Sequence, residues 1–230
     1  DVLQAEQTTL VGGHTSEGVE LSLGFALNGF VETERELRKT GASVGDSLII
    51  TKPIGTGALF AGAMQGRSRS RGLEAALDGM IQTNGAAASC LLRHGATAMT
   101  DVTGFGLLGH LQQLGLASGV GARIEASRVP VFSFARELAA DGQVPGGTKR
   151  NLEYIAAHTS WSGGVEPHER LLLCDAQTSG GLLLAVAPER EAALLEGLAS
   201  AGVASFAAIG EPVSYTHLRA HETREARGWR

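Results

Sequence analysis

Asp101 ends the run Thr100-Asp101-Val102-Thr103, and glycines follow at Gly104, Gly106 and Gly109 before His110. A carboxylate at a strand end, then a glycine turn into a helix, suits a nucleoside triphosphate. Helix-start amides attract phosphate oxygens, and a hard Asp oxygen suits Mg2+ bridging those phosphates. The plainer reading is a strand-to-helix turn whose Asp caps the helix, and spacing alone leaves that reading at least as strong. The same residues also match the dinucleotide pattern Gly104-x-Gly106-x-x-Gly109, with Glu125 standing about 20 residues further on, as that pattern asks. Against it, the polar stretch Thr100 to Thr103 separates strand from glycines and puts a carboxylate where pyrophosphate would approach, a repulsion unless a metal intervenes. The dinucleotide reading therefore ranks second.

Two further clusters can touch a ligand. In Val11-Gly12-Gly13-His14-Thr15 a pair of glycines lets the backbone approach closely, and two side chains able to bond phosphate or ribose follow; otherwise it is a strand-ending turn. Leu173-Cys174-Asp175-Ala176-Gln177-Thr178-Ser179-Gly180-Gly181 places polar side chains before paired glycines, and its plainer reading is a tight connection. Cys174 follows Leu171, Leu172 and Leu173, neighbours that raise a thiol's pKa, so burial suits it better than nucleophilic attack. Lys52, in Thr51-Lys52-Pro53-Ile54-Gly55-Thr56-Gly57, precedes its glycines, whereas a phosphate loop places Lys after them; a structural role is expected. The histidines lack metal-ligand spacing, so zinc is not supported.

The elements that position these residues follow from periodicity. Strands are expected at Thr8 to Val11, Glu20 to Val31, Ser47 to Thr51, Ala96 to Met99, Ala122 to Ala126, Gly181 to Ala187 and Ala204 to Ile209. Helical spacing covers 57–65, 73–93, about 105–117 and 188–198. The stretch 144–169, rich in Gly, Pro, Ser and Thr, reads as a long irregular loop. From Val213 the sequence turns polar and Arg-rich without core periodicity, and the tail 213–230 is expected to be non-native in origin or disordered and is set apart from the domain. A boundary near Thr40 leaves 1–39 as the remnant of an N-terminal domain and 40–212 as a C-terminal α+β domain.

Bulk properties narrow the chemistry. The chain has 230 residues, 43% of them hydrophobic, enough for a real core. Its net charge of -5, from 24 acidic against 19 basic residues, offers no positive field for nucleic acid or anionic lipid. Cys90 and Cys174 both adjoin leucines, as buried free thiols do. No apolar run approaches the roughly 20 residues of a membrane helix, and a cytoplasmic location is expected.

In order, Val11 to Thr15, Gly45 to Gly57, Thr100 to Leu111, Val144 to Asn151 and Asp175 to Leu184 resemble the motifs of the selenophosphate synthetase (selenide, water dikinase) family, over roughly residues 8 to 212. The resemblance implies an α+β fold of the aminoimidazole ribonucleotide synthetase-like superfamily, in which an N-terminal domain dimerises and a C-terminal domain completes an ATP site. It also implies an activity: ATP, water and selenide give selenophosphate, AMP and phosphate, with Mg2+ on the phosphates. By motif match Asp101 is a magnesium ligand, and Gly13, His14 and Thr15 contact ATP within a homodimer. The family's reactive Cys or selenocysteine and its Lys belong upstream of Asp1, so the chain is expected to be N-terminally truncated and inactive alone. The alternatives are a non-catalytic nucleotide-binding or dimerisation module and a dinucleotide-binding oxidoreductase fragment.

Overall fold

Two apolar runs without alternation, Ser47-Leu48-Ile49-Ile50 and Leu182-Leu183-Leu184-Ala185-Val186, can sit only where both faces of a sheet are covered. In the computed structural model both are central strands, buried along their whole length. The structure describes residues 1–33, 36–67, 69–162, 164–214 and 218–221. It divides into a unit of residues 1–36 and a unit of residues 37–230.

Among its described residues the first unit contains one short helix, α1 (Val2–Ala5). The stretches 8–11 and 20–31, expected as strands, form none there. A strand is completed by a hydrogen-bonded neighbour, and no ladder partner for these stretches occurs among the described residues. Their alternating apolar side chains, among them Leu21, Leu23, Phe25 and Leu27, stay exposed.

The second unit runs β1 (Ser47–Ile50), α2 (Thr56–Met64), α3 (Ser70–Ile81), α4 (Gly85–His94), β2 (Ala98–Asp101), α5 (Gly106–Ser118) and β3 (Gly121–Glu125). It continues with α6 (Ala135–Ala140), α7 (Gly146–Ile155), β4 (Thr159–Trp161), α8 (Pro167–Leu173), β5 (Leu182–Val186), α9 (Pro188–Ser200), β6 (Ala207–Val213) and β7 (Leu218–His221). One sheet collects the strands of the described residues in the order β2-β5-β1-β6-β3-β7-β4. Neighbours are antiparallel from β2 to β3, and β7 joins β3 and β4 in parallel. This is the α+β architecture expected from the sequence. Leu48, Ile50, Leu183 and Ala185 face a core shared with α2, α5, α6 and α8. Ile49, Leu182, Leu184 and Val186 face α4 and α9. No helix among the described residues is long and apolar enough to cross a membrane.

Three expectations change. The helical stretch 73–93 is two helices, because residues 82–84 leave the helix to serve a neighbouring loop: the Gln82 carbonyl accepts from Lys52 Nζ at 2.6 Å, and Asn84 Nδ2 donates to the Gly180 carbonyl at 3.0 Å. The irregular loop 144–169 contains α7, β4 and the start of α8. The inward face of α7 carries Thr148 and Asn151 beside Ile155, so an apolar count misses it. A capping box between Glu166 and Glu169 opens α8. At the far end, β7 lies within the stretch 213–230 that the sequence sets apart: Leu218 and Ala220 alternate into the core, a period of 2 hidden by the polar residues around them. Residues 222–230 lie outside the described residues.

Candidate functional site

Topology gathers the chemistry-bearing loops at one end of the sheet. Ile50 pairs with Leu183, and Asp101 with Leu182, so the C-terminal ends of β1 and β2 meet the beginning of β5. The loops 51–55, 102–105 and 174–181 therefore lie side by side.

Asp101 is exposed at the tip of β2. Directly after it, buried Val102 donates its amide to the Gly181 carbonyl at 2.9 Å, which anchors the start of the turn. The Thr103 carbonyl accepts from the amides of Gly106 and Gln177, both at 3.0 Å. Asn151 Nδ2, reaching across from α7, donates to the Gly104 carbonyl at 2.8 Å and the Cys174 carbonyl at 3.0 Å. The turn is thus tied down by its carbonyls. Among the described residues the amides of Gly104 and Phe105 donate to no protein acceptor.

Gly106 shows why the turn needs glycine. Its φ is +69°, in the left-handed region, and a Cβ there would stand 2.6 Å from both the carbonyl carbon and the oxygen of Cys174. Gly106→Ala combines backbone strain with a clash against backbone that cannot swing aside, so it should destabilise by more than about 1 kcal/mol. Thermal melts of the two proteins check this; an unchanged midpoint would contradict the packing of the turn on the 174–175 backbone.

Beneath the turn lies a buried polar hub. The carboxylate of Asp175, fully enclosed, accepts from Thr148 Oγ1 at 2.8 Å, the Ala58 amide at 3.2 Å and Gln177 Nε2 at 3.0 Å, and also from the Gly57 amide. Gln177 Oε1 accepts from the Gly55 amide, the Thr56 amide and Thr56 Oγ1, at 3.0, 3.3 and 3.1 Å. The N-terminal amides of α2 are therefore satisfied by protein side chains, and this glycine-rich segment does not present them to a ligand. Burial raises the Asp175 pKa to about 6 despite these hydrogen bonds. Cys174 beside it is pushed up to about 12 by burial and by the Asp175 charge, which leaves an inert thiol. Lys52 is also structural. Its Nζ donates to the Gln82 and Ser179 carbonyls at 2.6 and 3.0 Å, and burial lowers its pKa.

Asp101 therefore stands apart from the hub below it as an exposed carboxylate. No hydrogen bond or ion pair engages it among the described residues, and no group of three or more His, Cys, Asp or Glu able to hold a metal occurs among them. That donor set fits Mg2+ in its usual mode, where one or two carboxylates share the ion with substrate phosphates, and does not resemble an all-protein cage. Gly13, His14 and Thr15 are exposed on the first unit, outside helix and sheet, with open space around Gly13.

The sequence places Asp101 at a strand end before a glycine turn, as the structure has it, but does not reveal the residues that hold the turn. Thr148 and Asn151 bond partners 27 and 47 residues away, a distance no local pattern reveals. His110, weighed in the sequence only as a metal ligand, accepts the Thr103 amide through Nε2 at 3.0 Å. A His in the second turn of a helix that follows a glycine turn was the available signal.

Comparison with known proteins places this arrangement among relatives. The family described as "AIR synthase related protein, C-terminal domain" matches residues 43–221. A selenide, water dikinase of Pelobacter propionicus is 39% identical over 213 residues, 93% of this chain and 61% of its own length. Another from Enterobacter sp. is 42% identical over 205 residues, covering 89% of this chain and 58% of that protein. The chain thus spans about three-fifths of the curated relatives it matches. Among solved structures, thiamine-monophosphate kinase from Stenotrophomonas maltophilia shares the fold at a TM-score of 0.62 and 18% identity, over 83% of this chain and 54% of that one. The hydrogenase maturation protein HypE of E. coli does so at 0.58 and 18%, over 80% and 48%.

Proposed function

The chain belongs to the AIR synthase related family through that family's C-terminal domain, and from this premise we propose that it supplies the C-terminal part of an enzyme making selenophosphate from selenide, water and ATP, with release of AMP and phosphate. The observation that carries the reading is the exposed Asp101 carboxylate beside a turn whose carbonyls are tied down and whose Gly104 and Phe105 amides stay available. The names and the 39–42% identity of the selenide, water dikinase relatives support the substrate class.

In this reading Asp101 contributes one oxygen to Mg2+, and the Gly104 and Phe105 amides donate to phosphate oxygens. Bound Mg2+ shields the phosphate charge and draws electron density from phosphorus. In phosphoryl transfer the protein mainly positions groups and stabilises charge, which suits a rigid turn better than a mobile loop. Gly13, His14 and Thr15 are assigned to ATP contact, and the working enzyme to a cytoplasmic homodimer. The selenium-handling Cys or selenocysteine and the phosphate-binding Lys are assigned to the remaining length that the relatives carry.

Two proteins test this: the chain alone, and the chain joined to the N-terminal part of the Pelobacter propionicus relative. By calorimetry the joined protein should bind ATP in a strictly Mg2+-dependent manner. The chain alone should bind ATP weakly and form no AMP on addition of selenide. Selenide-dependent AMP from the chain alone, or ATP affinity indifferent to Mg2+ in the joined protein, would overturn the assignment.

A further inference from the structure

We propose that His110 is a positioning residue: held as the neutral ring with its proton on Nδ1, it takes the Thr103 amide and so fixes the turn that presents Asp101 and the free Gly104 and Phe105 amides to a metal-bound phosphate. The ligand in this statement rests on the function proposed above; the hold of His110 on the turn does not.

The geometry defines the ring's state. Nε2 lies 3.0 Å from the Thr103 amide nitrogen and 3.1 Å from Thr103 Oγ1. An amide N–H can only donate, so Nε2 must carry a lone pair, and in a neutral imidazole the proton then sits on Nδ1. Nδ1 is buried and has no partner among the described residues. A buried N–H without an acceptor is costly, and a Leu would fill the same buried helical position without that cost. The orphan atom is tolerated because the opposite nitrogen does something an apolar side chain cannot.

That task concerns which amides of the turn are spent. Thr103, Gly104 and Phe105 precede the first residue of α5, where amides lack helical partners. Nε2 removes the Thr103 amide from competition. Asn151 holds the Gly104 carbonyl from the other side, and the Gln177 amide holds the Thr103 carbonyl. The ring also packs against the turn, its centroid 5.7 Å from that of Phe105 at an interplanar angle of 52°. Thr103 is thereby clamped on both polar groups and Gly104 on its carbonyl, while the Gly104 and Phe105 amides have no protein acceptor among the described residues. Burial lowers the His110 pKa, in keeping with a neutral ring, although the nearby Asp101 charge works in the opposite direction.

Long-range 15N–1H correlation of the ring in the chain itself should show His110 protonated at Nδ1. His110→Leu keeps an apolar filler and removes the acceptor; His110→Gln keeps an acceptor oxygen. Hydrogen exchange at the Thr103 amide should quicken by about 10-fold in the Leu variant, the worth of one hydrogen bond, and be partly restored by Gln. In the joined protein the Mg2+ concentration needed for half-maximal ATP binding should rise with Leu and recover with Gln, while the thermal midpoints of the two variants agree. A ring protonated at Nε2 would overturn the proposal, as would a Leu variant with wild-type Thr103 protection and wild-type Mg2+ requirement. If the Leu variant fails to fold, the wild-type tautomer and the Gln variant still decide. Should the wild-type protein show no Mg2+-dependent nucleotide binding, the functional reading fails, while tautomer and exchange continue to report on the clamp.

Discussion

Asp101→Asn should reduce turnover of the joined protein by on the order of 100-fold, the usual cost of removing one group that stabilises developing charge, and leave its thermal midpoint nearly unchanged. The side chain is exposed and without a protein partner among the described residues, so the substitution deletes no contact that folding uses; surface changes of this kind usually stay within about 0.5 kcal/mol. A carboxylate close to triphosphate is repelled unless a cation lies between them, and the cation turns the repulsion into attraction. Loss of the charge should therefore raise the Mg2+ needed for ATP binding. A capping role predicts otherwise, since Asn caps a helix about as well as Asp and activity should survive. Steady-state rates across a Mg2+ titration separate the two: near-wild-type turnover at limiting Mg2+ would remove Asp101 from the metal.

The second large effect belongs to Asp175 and appears in stability. Folding raises its pKa from 3.8 to about 6, with burial as the leading cause. Between those values the folded state binds the proton that the unfolded chain has released, so the contribution of Asp175 is fully present below pH 3.8 and lost as pH rises through about 6. A shift of about two units corresponds to about 3 kcal/mol. Asp175→Asn cannot ionise, and the stability of the variant relative to wild type should climb by that amount between pH 4 and pH 7. Asp175→Leu instead strands the donors of Gly57, Ala58, Thr148 and Gln177, and should lose several kcal/mol at every pH, each stranded group costing about 1–3 kcal/mol. Denaturant unfolding across this pH range checks both; a flat difference between wild type and Asp175→Asn would show that the carboxylate is not desolvated as the structure has it.

These two aspartates mark what a sequence displays and what it hides. The place of Asp101 was legible because its cue is local: a strand ends, a carboxylate stands at the end, glycines follow. The strands β1 and β5 and the helices α5 and α9 were legible for a similar reason, since unbroken apolar runs and helical stripes declare themselves within a dozen residues. Asp175 carries no such cue. It looked like part of a polar connection, yet it is as enclosed as the leucines before it, and apart from Gln177 its partners are as distant as Thr148, 27 residues off, and Ala58, 117 residues off. Helix α7 was hidden by the same physics, because Thr148 and Asn151 face inward only to serve that hub and the turn above it. Strand β7 stayed out of view because two apolar side chains at alternate positions, Leu218 and Ala220, are a weak signal among polar neighbours. Residues 8–31 show the converse failure: alternation was present, but the neighbouring strand that would turn it into a ladder is absent among the described residues.

We propose that this chain completes an ATP site devoted to selenium. The 31P spectrum of the joined protein, incubated with ATP, Mg2+ and selenide, tests it most directly. Resonances of selenophosphate, AMP and inorganic phosphate should grow together in equal amounts, with none of the three when selenide is left out. Accumulation of ADP, or ATP consumption that proceeds equally without selenide, would contradict it.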